Sequence, residues 1–178
     1  MKEYIVLLRG INVGGKNTIK MSELKNLLEH IGFFNVQTYI QSGNLILQSK
    51  QNRVNDIKNS VNNLIVSEFK MNIPVMVFEK RYLTEILKNN PFNKNEKLDT
   101  KYLHITFLDK NNDDNDRETL LSLSTVKDKL SFGKKCIYLY CPDGYSKTKL
   151  TNNLIEKKLK TIATTRNLKT LNKMIELS

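Results

Sequence analysis

The sequence predicts an α+β chain made of two successive β-α-β-β-α-β units, each followed by a helix. Three observations carry this. Strand-like apolar stretches at 4–8 and 102–108 each open one half of the chain. Each is followed by a helical pattern, a hairpin signal, a second helical pattern and a further strand. Between the halves lies a polar stretch, 90–100, with Pro91 and no apolar period.

Taken in order, Tyr4-Ile5-Val6-Leu7-Leu8 is apolar at every position, as a strand buried on both faces requires. Leu24, Leu27, Leu28 and Ile31 have helical spacing, with Ser22 as the expected N-cap and Gly32 as the C′ residue. Strands are expected at 36–41 and 44–48 around a tight Ser42-Gly43 turn. A helix follows from about Asn55, marked by Ile57, Val61, Leu64, Ile65 and Phe69. Pro74 opens a fourth strand, and a helix is expected over 80–88. In the second half the spacing predicts a strand over 102–108, a polar acidic loop over 110–116 and a short helix around Leu120. A hairpin around Gly133, a helix through Leu154, Ile155 and Leu159, a strand at 160–164 and a helix over 166–177 complete it.

This order is the ferredoxin-like arrangement, used twice. The repeat is one of topology and not of residues. It gives a first subdomain with its helix over 1–89, a linker over 90–100, and a second subdomain with its helix over 101–178.

Composition narrows the function classes. No apolar run approaches the ~20 residues of a membrane span. The start, Met1-Lys2-Glu3-Tyr4, lacks the pattern of a signal peptide, so a cytoplasmic protein without a membrane partner is expected. The two cysteines, Cys136 and Cys141, are five residues apart along one strand and face opposite ways, which disfavours a disulfide. With only His30 and His104 besides, no metal site is expected. Net charge is +11, but 24 of the 29 basic residues are Lys and Asn occurs 22 times, so a biased composition accounts for much of the excess. The arginines are more informative, and Arg9 and Arg166 fall within motifs.

The topology brings those motifs together. In this fold the first and second strands run parallel, so the loop leaving the first meets the hairpin leaving the second. That sets Arg9, Asn12, Gly14, Gly15 and Lys16 beside Ser42, Gly43 and Asn44, as candidates to hold one ligand. By the same reasoning Ser146 and Lys147 neighbour Arg166 and Asn167, with Arg166 expected at a helix start where main-chain N–H groups are unpaired.

Gly10-x-x-x-x-Gly15-Lys16 approaches a phosphate-binding P-loop, but Asn17 stands where Ser or Thr should hold magnesium. The helix also begins too late, and the following hairpin is antiparallel. An RNA-recognition module shares the element order and suits a basic chain. Its stacking aromatics would have to be Tyr138 and Tyr140, which are read instead as packing residues. Neither Ser42 nor Ser146 has a histidine base in an obvious arrangement. Asp113, Asp114 and Asp116 lack calcium-loop spacing and read as a solvated turn. His104 reads as structural, and His30 as favouring a helix C-terminal dipole.

Leu8-Arg9-Gly10-Ile11-Asn12-Val13-Gly14-Gly15-Lys16-Asn17, Tyr39-Ile40-Gln41-Ser42-Gly43-Asn44 and Thr165-Arg166-Asn167 closely resemble the bacterial family called Domain of Unknown Function 1697. Where members usually carry Trp after the Arg-Asn pair, this chain has Leu168 and retains Thr170. The resemblance implies two ferredoxin-like subdomains and supplies no activity. The expected function is binding of a small phosphate-bearing or other anionic ligand. A nucleic-acid-binding module and an enzyme acting on a nucleotide or phosphometabolite are the alternatives. No catalytic residue, cofactor or obligate protein partner is identified.

Overall fold

The computed structural model describes residues 1–111 and 113–178. Asn112, within the acidic loop expected over 110–116, lies outside the described residues. The chain divides into two compact units, Met1–Glu85 with Lys173–Ser178, and Ile86–Asn172. Each is an α+β unit on a four-stranded antiparallel sheet.

In the first unit β1 (Lys2–Leu8), β2 (Phe34–Tyr39), β3 (Asn44–Ser49) and β4 (Val75–Glu79) lie in the order β2-β3-β1-β4. The chain between strands forms α1 (Met21–His30) and α2 (Val54–Phe69), and α3 (Lys80–Lys88) follows β4. Tyr4, Val6 and Leu8 pack with Leu24 and Leu28 of α1 and with Ile57, Val61 and Ile65 of α2. Ile5 and Leu7, on the other face by strand alternation, are also fully buried. The unbroken apolar run is thus explained by burial on both faces.

Helix α1 starts at Met21, not after Ser22. Lys20 is the N-cap and supplies no side-chain cap. The start is set by packing: Met21, Leu24 and Leu28 all turn to the core, which places Ser22 inside the first turn. At the other end, Gly32 donates to the Glu29 carbonyl (3.1 Å) and Phe33 to the Leu28 carbonyl (3.2 Å). With Gly32 at φ +96°, this is a Schellman cap.

The expected tight Ser42-Gly43 turn is a four-residue connection, 40–43. Strand β2 ends at Tyr39 because Ile40 adopts φ +51° and leaves the extended conformation.

In the second unit β5 (Leu103–Leu108), β6 (Lys129–Phe132), β7 (Cys136–Tyr140) and β8 (Ala163–Asn167) lie in the order β6-β7-β5-β8. Helices α4 (Asp114–Leu123) and α5 (Asn152–Leu159) supply Leu120, Ile155 and Leu159 to its core. Helix α6 (Leu168–Leu177) follows β8. The polar stretch expected as a linker contains the 3-10 turns Pro91–Lys94 and Thr100–Tyr102. The second unit already begins at Ile86, whose carbonyl accepts from the Tyr138 hydroxyl of β7 (3.1 Å).

Two further expectations are corrected. Asp113 and Asp116 are not a solvated turn but the capping box of α4: Asp116 N–H donates to Asp113 (2.7 Å) and Asp113 N–H to Asp116 (3.4 Å). Asp116 is buried and ion-paired with Lys110 (2.8 Å). The last strand occupies Ala163–Asn167 instead of 160–164. Lys160 ends α5 in the left-handed region, and the Glu156 carboxylate accepts from the Ala163 N–H (3.0 Å), which starts the strand there.

Candidate functional site

The loop leaving β1 and the hairpin leaving β2 meet at one end of the first sheet. Leu7 pairs with Asn44 across the β1–β3 ladder. One step further, the Leu8 N–H donates to the Gly43 carbonyl (2.8 Å). Gly43 is required at this crossing. It has φ +73°, and a Cβ there would lie 2.7 Å from the Leu8 Cβ.

Asn12 holds the loop in place. Its side-chain amide donates to the carbonyls of Gln41 (2.7 Å) and Ile19 (3.0 Å), and its Oδ1 accepts from the Ile19 N–H (2.9 Å). Its backbone sits at φ +54°, a conformation Asn tolerates well. Asn17 closes the loop base, donating to the Gly10 carbonyl (3.0 Å). Asn44 is fully buried and donates to the Tyr39 carbonyl (3.1 Å) and to the Ser42 Oγ (2.9 Å). The convergence expected from topology is present, but Asn12, Ser42, Gly43 and Asn44 serve to build the corner.

What the corner presents to solvent is the tip, Val13-Gly14-Gly15-Lys16. The Lys16 N–H donates to the Val13 carbonyl (3.1 Å), with Gly14 at φ +59° and Gly15 at φ +74°. Two successive positive φ values under that bond make a type I′ turn. A P-loop instead wraps its N–H groups around an anion at a helix start. Here the glycines supply a hairpin tip, and α1 begins five residues beyond Lys16. Lys16 is exposed, and its ammonium makes no hydrogen bond or ion pair among the described residues. Arg9 is half-buried at the base, its N–H bonded to the Pro74 carbonyl (3.0 Å).

The second cluster is divided. Tyr145, in the turn Tyr145–Lys147, donates to the Thr165 Oγ1 of β8 (3.0 Å), so the turn and β8 are neighbours. Ser146 and Lys147 are exposed in that turn. Arg166 is not at a helix start. It pairs with Ile105 inside β8, and its side chain folds along the strand to the Thr164 hydroxyl (2.7 Å) and the Thr165 carbonyl (2.9 Å). By alternation Arg166 lies on the opposite face from Thr165, and so is separated by the sheet from the Tyr145 hydroxyl. Asn167 shares the Thr165 face and caps α6, its Oδ1 accepting from the Thr170 N–H (2.7 Å).

Residues outside the expected set also meet here. The His104 ring stacks on Tyr145, centroids 4.9 Å apart, and its Nδ1 lies 3.1 Å from the Tyr102 carbonyl. Burial pushes its pKa down. The available signal was Tyr145 itself, an aromatic inside the polar run 142–147. As for RNA stacking, Tyr138 is buried and hydrogen-bonded, and Tyr140 packs edge-on against Tyr102 (6.3 Å). Burial closes Tyr138 to base stacking, while Tyr140 is half-buried.

Among the described residues, no group of three or more His, Cys, Asp or Glu side chains could hold a metal ion. No helix among them is long and apolar enough to cross a membrane.

The two antiparallel sheets with their helices define a doubled ferredoxin-like protein of the α+β class. The chain belongs to the family described as Protein of unknown function (DUF1697), whose pattern matches residues 1–138. That span holds the β1 loop and the β2–β3 hairpin, while Thr165-Arg166-Asn167 lies beyond it. Among solved structures, the chain is similar to a conserved bacterial protein from Streptococcus pneumoniae. The two are 27% identical, with a TM-score of 0.79 over 99% of this chain and 98% of that one. No curated protein matches the chain.

Proposed function

We propose that this protein binds a small phosphate-bearing or other anionic ligand at the loop end of the first sheet. The observation that carries the reading is the Asn12 clamp. Two hydrogen bonds from one amide, to Gln41 and Ile19, hold a glycine tip and its lysine at a fixed corner of the sheet. A solvated lysine on a mobile loop binds an anion weakly, because ordering the loop offsets the gain. Here hydrogen bonds from Asn12 and Asn17 already tie down the base of the loop. The tip is exposed, and a Cβ added at Gly14 or Gly15 would meet no atom within 4 Å. A bulky anion can therefore approach the main chain of the turn. In this reading Lys16 supplies the charge, Gly14 and Gly15 the access, and Asn12, Ser42, Gly43 and Asn44 the frame.

The test is a thermal-shift titration with inorganic phosphate, AMP and a sugar phosphate, at low salt because exposed charges are screened. Binding raises the melting temperature with ligand concentration. Lys16→Ala is expected to remove that rise while leaving the ligand-free melting temperature unchanged. A rise that survives Lys16→Ala, or no rise with any of the three, refutes the site.

A further inference from the structure

The second unit carries a hydrogen-bonded assembly on one face of its sheet that the loop site does not use. Its hub is the Thr165 hydroxyl. Thr165 donates to the Asn152 Oδ1 (2.7 Å) and accepts from the Tyr145 hydroxyl (3.0 Å). Its remaining contact, Thr106 Oγ1 at 2.7 Å, must then donate to it. The oxygen thereby uses its one proton and both lone pairs. A saturated hub has one arrangement, which fixes the position of the Tyr145 hydroxyl.

His104 is fixed against that ring. It stacks on Tyr145 at 4.9 Å and an interplanar angle of 24°, and its Nδ1 meets the Tyr102 carbonyl at 3.1 Å. A carbonyl only accepts, so Nδ1 carries the proton, and in the neutral ring Nε2 is left with a lone pair. Burial favours that neutral form. Asn167 is the cross-strand partner of His104, on the same face of the sheet. Its Oδ1 is committed to the Thr170 N–H, which fixes the amide and leaves Nδ2 as a donor. Neither His104 Nε2 nor Asn167 Nδ2 has a partner among the described residues, and Asn167 is exposed.

We propose that His104 Nε2 and Asn167 Nδ2 form a second binding site, an acceptor beside a donor, for a small ligand that presents an adjacent donor and acceptor. A carboxamide has that pattern, and so does the adenine base, whose 6-amino donor adjoins a ring-nitrogen acceptor. The site is independent of the loop site. It uses different residues in the other unit and calls for a neutral hydrogen-bonding edge, not an anion.

The experiment is a 15N NMR titration of the full chain, reading the His104 ring nitrogens and the Asn167 side-chain amide. Adenosine and nicotinamide serve as separate probes for the two sources of such an edge. The free protein is expected to show an unprotonated Nε2. At least one probe is expected to move both signals saturably at millimolar concentration. His104→Phe keeps a ring on Tyr145 and removes the acceptor, and it is expected to weaken that binding about tenfold, the worth of one hydrogen bond. A protonated Nε2 with a bare Nδ1 overturns the proposal without any variant. So does the absence of shifts with both probes, or full binding by a folded His104→Phe. Shifts confined to Gly14, Gly15 and Lys16 would report the loop site and also overturn this one.

Discussion

Asn12→Asp separates a structural amide from a ligand-binding one. Aspartate has nearly the shape of asparagine and tolerates the same left-handed backbone, φ +54° here. It keeps an acceptor for the Ile19 N–H but turns the two donors toward Gln41 and Ile19 into a carboxylate oxygen facing two carbonyls. Each lost hydrogen bond costs about 1 kcal/mol. Leaving the Ile19 carbonyl without a donor adds roughly another 1 kcal/mol. The sum is about 3 kcal/mol. At a urea slope of roughly 2 kcal/mol per molar, the unfolding midpoint falls by about 1.5 M with the slope unchanged. Asn12→Ala loses all three bonds and is expected to be at least as destabilised. The assay is urea unfolding followed by circular dichroism at pH 7. An Asn12→Asp midpoint within about 0.25 M of the parent, equivalent to the roughly 0.5 kcal/mol of an ordinary surface change, refutes the clamp.

Three further outcomes are expected. Gly43→Ala should cost several kcal/mol by thermal melting, since its new Cβ meets the Leu8 Cβ at 2.7 Å, whereas Gly14→Ala meets nothing and should cost only about 1 kcal/mol of backbone strain. His104 titrates below its ordinary 6.5 in the folded protein because burial opposes the charged form. The unfolded chain therefore binds the extra proton first, and stability is expected to fall as pH drops below about 6.5, levelling off once the folded histidine is also protonated. Urea midpoints from pH 8 to pH 5 measure this fall, and His104→Phe should flatten it. Finally, burial pushes both thiols, Cys136 and Cys141, up to about 11. Neither should react with a disulfide reagent at pH 8 in the native protein, and both should react in urea.

The strand order and the meeting of the two motif loops were legible in the sequence, because apolar runs and turn signals locate strands and the topology then dictates which loops are neighbours. What could not be read was how each polar side chain is used. An amide suited to a ligand is equally suited to a main-chain carbonyl, and Asn12 and Asn44 both take the second course. The expected placement of Arg166 at a helix start failed for a different reason. The last strand starts three residues later than expected, at Ala163, where Glu156 caps its first N–H and Leu108 pairs with it. That moves Arg166 from a presumed helix start into the ladder, and alternation within β8 then sets it across the sheet from Thr165. The start of α1 was misplaced because a cap propensity at Ser22 is worth less than burying Met21. His104 looked unremarkable because its partners Tyr145 and Asn167 are distant along the chain.

The Asn12 clamp has a consequence for the rates of folding and unfolding. Its bonds join positions 7 and 29 residues apart, and the longer one spans the corner that exists once β1 has paired with β3. Bonds that close only over an assembled sheet are expected to be absent from its transition state, which a φ-value near zero for Asn12→Ala would bear out. They leave the folding rate unchanged and slow unfolding instead. The clamp thus acts like a clasp on a finished article: its contribution is measured in how long the folded chain lasts, and it resists proteases that attack the opened form to the same degree.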